Sequence, residues 1–176
     1  MFDKDIRLFG KYAEILKKYS KDNSSESEYK FDLLDNSGVK HICYIFETMI
    51  GLYMCAGMIG VIEGKKVDSS NENRNIYANI MTEQVQKNKN NLNRIVQYMV
   101  LSTEDGSTDK KIKDAFRLRD SSDIELEKEL MAYCCAGLEI IDEWFKNCTT
   151  YERLANVLLN FIDNYSSEIS SDGQLW

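Results

Sequence analysis

The residues of this 176-residue chain that could do chemistry are few: five cysteines, one histidine and a handful of carboxylates set in apolar surroundings. Cys134 and Cys135 are adjacent within LMAYCCAGLEIIDEWF, residues 130 to 145. A vicinal thiol pair could act as a redox couple or nucleophile, but a thiolate needs a neighbouring base or cation, and the sole histidine, His41, lies far off in sequence. Ala132, Cys134, Cys135, Ala136 and Gly137 equally suit a surface that another helix approaches closely, with Leu138, Ile141, Trp144 and Phe145 continuing it. Buried free cysteine is common, so close packing is the expectation. The five cysteines, Cys43, Cys55, Cys134, Cys135 and Cys148, are odd in number, fall on expected apolar helix faces and show no paired CxxC spacing, so neither a disulfide framework nor a zinc site is expected. His41, near an expected helix start, has no second ligand at metal-binding spacing. Glu47 sits inside an apolar run, where a carboxylate must find a partner or bind a proton. With no second catalytic group beside it, a structural role is expected. Glu139, Asp142 and Glu143 are expected to form a solvated helix face. No catalytic, cofactor-binding or metal-ligating set emerges, and the chain is not expected to be an enzyme.

Charge suggests binding instead. Net charge is −7, yet residues 84 to 119 carry +4 while residues 120 to 176 carry −9. The basic segment holds Lys87, Lys89, Arg94, Lys110, Lys111, Lys113, Arg117 and Arg119, with Asn88, Asn90, Asn91 and Asn93 among them. These could meet phosphates and bases, which makes a nucleic-acid-binding module one reading. No helix-turn-helix or zinc-finger pattern frames them, and no aromatic side chains interleave for stacking. An acidic protein surface, including the carboxy-terminal third of a second copy, would attract the same charges, so a homo-oligomer is also compatible.

The elements that must carry these residues are expected to be helices. The chain has no proline and is 43% hydrophobic, enough for one core, and the expectation is an all-α, single-domain bundle of five to seven helices spanning residues 1–176. Ile6, Phe9, Tyr12, Ala13, Leu16 and Tyr19 keep a three-and-four spacing that predicts a helix from Asp3 to Tyr19. A polar connector with an apolar patch at Phe31, Leu33 and Leu34 follows over residues 21–38. Residues 42–62 form an apolar run that, as one helix, would rise about 32 Å, enough for a membrane span. Gly51, Gly57, Gly60 and Gly64, Glu47, and Lys40, Lys65 and Lys66 at its ends favour a buried central helix, with a membrane-associated protein as the alternative. A loop at 65–75, a short helix at 76–85, an amphipathic helix through Leu92, Ile95, Val96, Met99 and Val100, and a basic helix from Asp109 to Leu118 come next. Ser122 with Glu125, and Thr149 with Glu152, match capping boxes that start helices over 123–147 and 150–166. The tail at 167–176 is polar until Leu175 and Trp176. Trp144, Phe145, Leu175 and Trp176 are the candidate partner contacts, since tryptophan and other aromatics favour interface centres. No leader pattern opens the chain, and unpaired cysteines suit a reducing cytoplasm.

MCAGMIGVIEGKKV (54–67) and MAYCCAGLEIIDEWF (131–145), with an amphipathic helix between them, resemble small helical proteins encoded beside bacterial DNA phosphorothioation (Dnd) and related phage-defence systems. The likeness covers about residues 40–147. Where that pattern carries a glycine pair before the leucine, this chain has Ala136 and Gly137. The resemblance implies a non-catalytic accessory subunit that binds a larger nuclease or ATPase partner, and it transfers no catalytic residue.

Overall fold

Ile6 and Leu8 point inward and Arg7 outward, a period of two that makes Ile6–Phe9 a strand, β1, where a helix is expected from the spacing alone. The computed structural model of the chain describes residues 2–21, 30–102, 107–117 and 124–171. Helix α1 (Gly10–Tyr19) starts directly after β1 at Gly10, whose φ of 54° is readily adopted only by glycine. Glu72 reaches across the fold to accept from Lys11 N–H at 3.1 Å, capping a helix that has no local side-chain cap. The connector patch becomes β2 (Phe31–Leu34), which pairs antiparallel with β3 (Lys40–Cys43), Phe31 opposite Cys43 and Leu34 opposite Lys40.

The apolar run therefore divides. Its first residues belong to β3 and to an extended stretch in which Phe46 N–H donates to the Tyr19 carbonyl; only Met49–Ile62 form helix α2. Thr48 starts this helix by accepting from Gly51 N–H at 3.1 Å. Gly64, with φ 61°, stops it: Lys65 N–H donates to Gly60 O and Gly64 N–H to Val61 O, the paired bonds of a Schellman ending. At 14 residues α2 rises about 21 Å, and no helix among the described residues is long and apolar enough to cross a membrane.

Strand β4 (Tyr77–Ile80) pairs antiparallel with β1, Ile6 opposite Ile80, in the segment expected to be helical. Helices α3 (Thr82–Lys87), α4 (Lys89–Ser102), α5 (Thr108–Arg117), α6 (Ile124–Phe145) and α7 (Tyr151–Ser171) complete the described chain. The expected boundaries of α4, α5 and α6 agree closely with these, whereas α7 runs past its expected end. Its cap is Thr150, which accepts from Arg153 N–H, rather than Thr149; Ser122 lies outside the described residues.

The all-α expectation is thus corrected: seven helices and two small two-stranded antiparallel sheets make a mixed, mostly helical fold among the described residues. The strands are four residues each, too short to show a period against helical neighbours. At the centre, α2 packs along α6 with backbones nearly touching. A methyl group added at Gly60 would lie 2.7 Å from the carbonyl carbon of Tyr133, and one at Gly137 would lie 2.6 Å from that of Ala56. The glycine-rich helix and the run of small residues therefore face each other, and α1, α4 and the β1–β4 sheet close around them.

Candidate functional site

The small-residue run supplies packing and suppresses chemistry. Cys134 and Cys135 are buried on α6, the Cys134 thiol lying 3.5 Å from the Tyr53 carbonyl of α2. Burial pushes the Cys134 thiol far above the ordinary thiol range and that of Cys135 up to about 11. Cys55, on the partly exposed side of α2, is likewise pushed up to about 11 by burial. None of the three is held as a thiolate near neutral pH.

Glu47, expected within an apolar helix, instead stands exposed in the bend before α2. The acidic patch is also different from its expectation. Tyr12 of α1 donates to Glu139 at 2.9 Å, Tyr19 donates to Asp142 at 2.7 Å, and Lys11 and Lys18 approach the same carboxylates at 2.7 and 3.1 Å. Two carboxylates thus stitch α1 to α6, while Glu143 is solvated and pairs with Lys146. A groove of about 650 Å³ runs beside this seam, but its walls are almost all ionised: Lys11, Lys18 and Lys30 against Glu14, Glu139, Asp142 and Glu143. Such a mixed, charged trough lacks the apolar lining that buries a small ligand.

One cluster does bring titratable groups of four kinds together. In the β2–β3 turn, Asp35 accepts from Ser37 and Val39 and lies 3.0 Å from His41 Nε2. Hydrogen bonds from Ser37 first, then His41 and Val39, hold the Asp35 carboxyl well below the usual carboxylate range. His41 and Cys43 share one face of β3, and both meet Tyr151, the first residue of α7: the rings of His41 and Tyr151 are 6.4 Å apart and the Cys43 thiol is 3.3 Å from the Tyr151 hydroxyl. Leu34 N–H also donates to Thr149 O at 2.9 Å. The hairpin therefore clamps the start of α7. Among the described residues no group of three or more His, Cys, Asp or Glu side chains could hold a metal ion.

The basic candidates are dispersed. Lys87 pairs with Glu83 one turn away, and Lys89 with Asp3, at 2.8 Å each. Arg94, Lys110 and Lys113 are exposed, and Lys111 is half-buried. Arg117 ends α5, and Arg119 lies outside the described residues. The aromatic candidates divide similarly. Phe145 is wholly buried, its ring 5.3 Å from Phe161 and 6.2 Å from Tyr19, so it belongs to the core and is corrected as a partner contact. Trp144 is half-buried and stacks edge-on against Phe161 at 5.6 Å; Leu175 and Trp176 lie outside the described residues.

Exposed apolar side chains lie on the β2–β3 hairpin and at Tyr77, Met81 and Ile124, and in helical register on α7 and α5. On α7, Leu154, Val157, Leu158, Phe161 and Tyr165 face the body, and the Tyr165 hydroxyl donates to Glu63 at the end of α2. Tyr151, Ala155, Leu159 and Ile162, at spacings of four, four and three, form a second stripe that faces outward, with Leu159 61% and Ile162 50% exposed. On α5, Ala115 is buried while Ile112 and Phe116, one turn apart, are 44% and 60% exposed. No family model, curated protein or solved structure matches the chain. Two amphipathic helices with apolar residues on the solvent side are characteristic of surfaces that another protein covers. The excess of apolar residues in residues 151 to 165, too many for one face, is the sequence signal that marks α7.

Proposed function

We propose that this chain is a non-catalytic accessory subunit that docks a larger protein through the outward face of α7. The observation that carries the proposal is the second apolar stripe of that helix, Tyr151, Ala155, Leu159 and Ile162, edged by exposed Glu152 and Asp163. A partner that fits it presents an apolar helix face bordered by lysine or arginine, so that the rim pairs while the stripe is dried. The likeness of residues 40–147 to accessory proteins of bacterial phage-defence systems supports a narrower form, in which the partner is a nuclease or ATPase subunit of such a machine.

Co-expression with the products of whichever genes lie next to its own tests the reading. A nuclease or ATPase subunit is expected to co-purify with the wild-type chain and to be lost with Leu159→Asp and Ile162→Asp, while circular dichroism stays unchanged. Absence of co-purification, or co-purification indifferent to those substitutions, would overturn it. Nucleic-acid retention at low salt that disappears on reversing Lys110 and Lys113 would replace it with the phosphate-binding reading.

A further inference from the structure

The β1–β4 sheet buries one face and exposes the other. Ile6, Leu8, Ala78 and Ile80 are buried, so the period of two turns Arg7 and Phe9 of β1, and Tyr77 and Asn79 of β4, the opposite way. The antiparallel register sets Phe9 directly opposite Tyr77, and Arg7 opposite Asn79. Opposed side chains on one face start about 4.5–5.5 Å apart, so two aromatic residues stand side by side with an arginine beside them. Tyr77 is 56% exposed, Arg7 is exposed and Phe9 is half-buried. Arg74 and Asn75, both exposed, lie in the turn that leads into β4. We propose that this face binds single-stranded nucleic acid, with bases stacked on Tyr77 and Phe9 and backbone phosphates held by Arg7 and Arg74. The proposal is independent of the docking role of α7.

The chemistry of the face selects this occupant. The neighbouring carboxylates are already engaged: Asp3 pairs with Lys89, Glu72 accepts from Lys11 N–H, and Asp5 accepts from the Thr82 hydroxyl, Thr82 N–H and the Asn79 amide. Those bonds, from Thr82 first and then Asn79, keep Asp5 ionised, which confines phosphate to the side of Arg7 and Arg74. A purely apolar protein surface laid on Tyr77 and Phe9 would dry Arg7 without supplying an anion, which is costly. A nucleic-acid strand supplies a flat ring and a phosphate in every residue. Because the Asn79 amide is taken up by Asp5, the face reads stacking and charge rather than base edges, so it tolerates many sequences. A duplex, whose bases are covered by their neighbours, offers no ring to Tyr77. The excess acid of the chain, −9 over residues 120–176, lies outside the segments that form this sheet.

Fluorescence anisotropy of a labelled short oligothymidylate, alone and annealed to its complement, titrated with the full chain at about 50 mM salt tests the proposal. The single strand is expected to bind and the duplex to bind more weakly. Tyr77→Ala, with circular dichroism unchanged, is expected to raise the dissociation constant about fivefold or more, and Tyr77→Phe, which keeps the ring, to leave it near wild type. If Tyr77→Ala unfolds, Tyr77→Leu removes the ring while keeping bulk on the strand. Arg7→Gln is expected to weaken binding and to lower the salt slope by about 0.7. No binding up to about 0.1 mM protein, equal binding of the duplex, or binding indifferent to loss of the Tyr77 ring would each overturn the proposal. Binding lost on reversing Lys110 and Lys113 but kept in Arg7→Gln would place the contact on α5 and overturn it as well. A co-purifying protein lost with Tyr77→Ala, in a chain that binds no oligonucleotide, would make this a protein-binding face and also overturn it. Co-purification through Leu159 and Ile162 is measured separately, so either reading can fail while the other stands.

Discussion

Replacing Gly137 by alanine is the most direct test of the α2–α6 seam. The new methyl carbon would lie 2.6 Å from the Ala56 carbonyl carbon and closer still to its oxygen, whereas carbon atoms in contact rest about 3.5–4.0 Å apart. The obstacle is backbone, which cannot swing aside as a side-chain tip can. The two helices must therefore separate by about 1 Å, and a gap of that size forfeits roughly a quarter to a half of the dispersion energy of each atom pair across it. The pairs at risk belong to buried Tyr53, Ala56, Leu130, Tyr133, Cys134 and Leu138. Overpacking a filled core costs about 1–3 kcal/mol, and the loosened seam places this site at or above the upper end. Against that, alanine gains about 1 kcal/mol over glycine in a helix interior. The net expectation is destabilisation by about 2–3 kcal/mol, a sizeable share of the roughly 5–15 kcal/mol that holds a domain together. Urea unfolding should show a lower midpoint at unchanged slope, and melting should fall by about 4–12 °C for a chain of this size. Gly60→Ala, which meets the Tyr133 backbone in the same way, should behave alike. A Gly137→Ala protein as stable as wild type, or more stable by the helix-propensity gain, would refute the close approach.

Two further outcomes are expected. In the native protein, Ellman's reagent should modify the half-exposed Cys43 and Cys55 and reach buried Cys134 and Cys135 only after urea is added; a fast phase that survives Cys43→Ser together with Cys55→Ser contradicts the burial pattern. At the α1–α6 seam, burial and then the neighbouring carboxylates Glu139 and Asp142 raise Tyr12 and Tyr19 well above the ordinary phenol value of 10.0, so the neutral hydroxyls favour the folded state. This stabilisation is fully present below about pH 10 and is lost as pH climbs toward the folded values, so urea midpoints should fall above pH 10 and Tyr12→Phe with Tyr19→Phe should flatten that fall. Tyr19→Phe should also cost about 1–2 kcal/mol at neutral pH, leaving Asp142 with Lys18 as its remaining cross-seam partner. An alkaline profile identical in wild type and double variant would remove the seam from the explanation.

The helix–helix seam was legible because its signal is local composition at helical spacing. Gly57 and Gly60 fall on one side of α2, Cys134 and Gly137 on one side of α6, and small side chains have few other uses in two long apolar segments. The sheets were hidden for an equally physical reason. Ile6, Phe9, Tyr12, Leu16 and Tyr19 keep helical spacing straight across the β1–α1 junction, and only the positive φ of Gly10 breaks the helix there. In residues 42–62 an unbroken apolar run has no period to distinguish strand from helix, so Glu47 and the Thr48 cap were the only marks of the division. The Asp35–His41–Tyr151–Cys43 cluster depends on a contact between residues 108 positions apart and could not be read from one sequence. The outward stripe of α7 could have been read: Tyr151, Ala155, Leu159 and Ile162 are evenly spaced beside a second stripe, and a helix buried on one side needs only one.

That double stripe links the interior to the proposed docking face. Helices α2 and α6 commit their small residues to each other, so their seam is close-packed backbone with little freedom to shift. Helix α7 is held differently: Phe161 and Tyr165 anchor it against Trp144, Phe145 and Glu63, the hairpin clamps its first turn at Leu34 and Cys43, and Leu159 and Ile162 on its outer half stay exposed among the described residues. A helix fixed at its start and along one flank presents its other flank in a defined orientation, so a partner gains the apolar area of Leu159 and Ile162 without first ordering the segment that bears them. The clamp also explains why titratable groups gather at an otherwise plain hairpin. Each of Asp35, His41, Cys43 and Tyr151 is engaged in a contact that ties the turn, β3 and the first residue of α7 together, and those contacts set where the α7 face points.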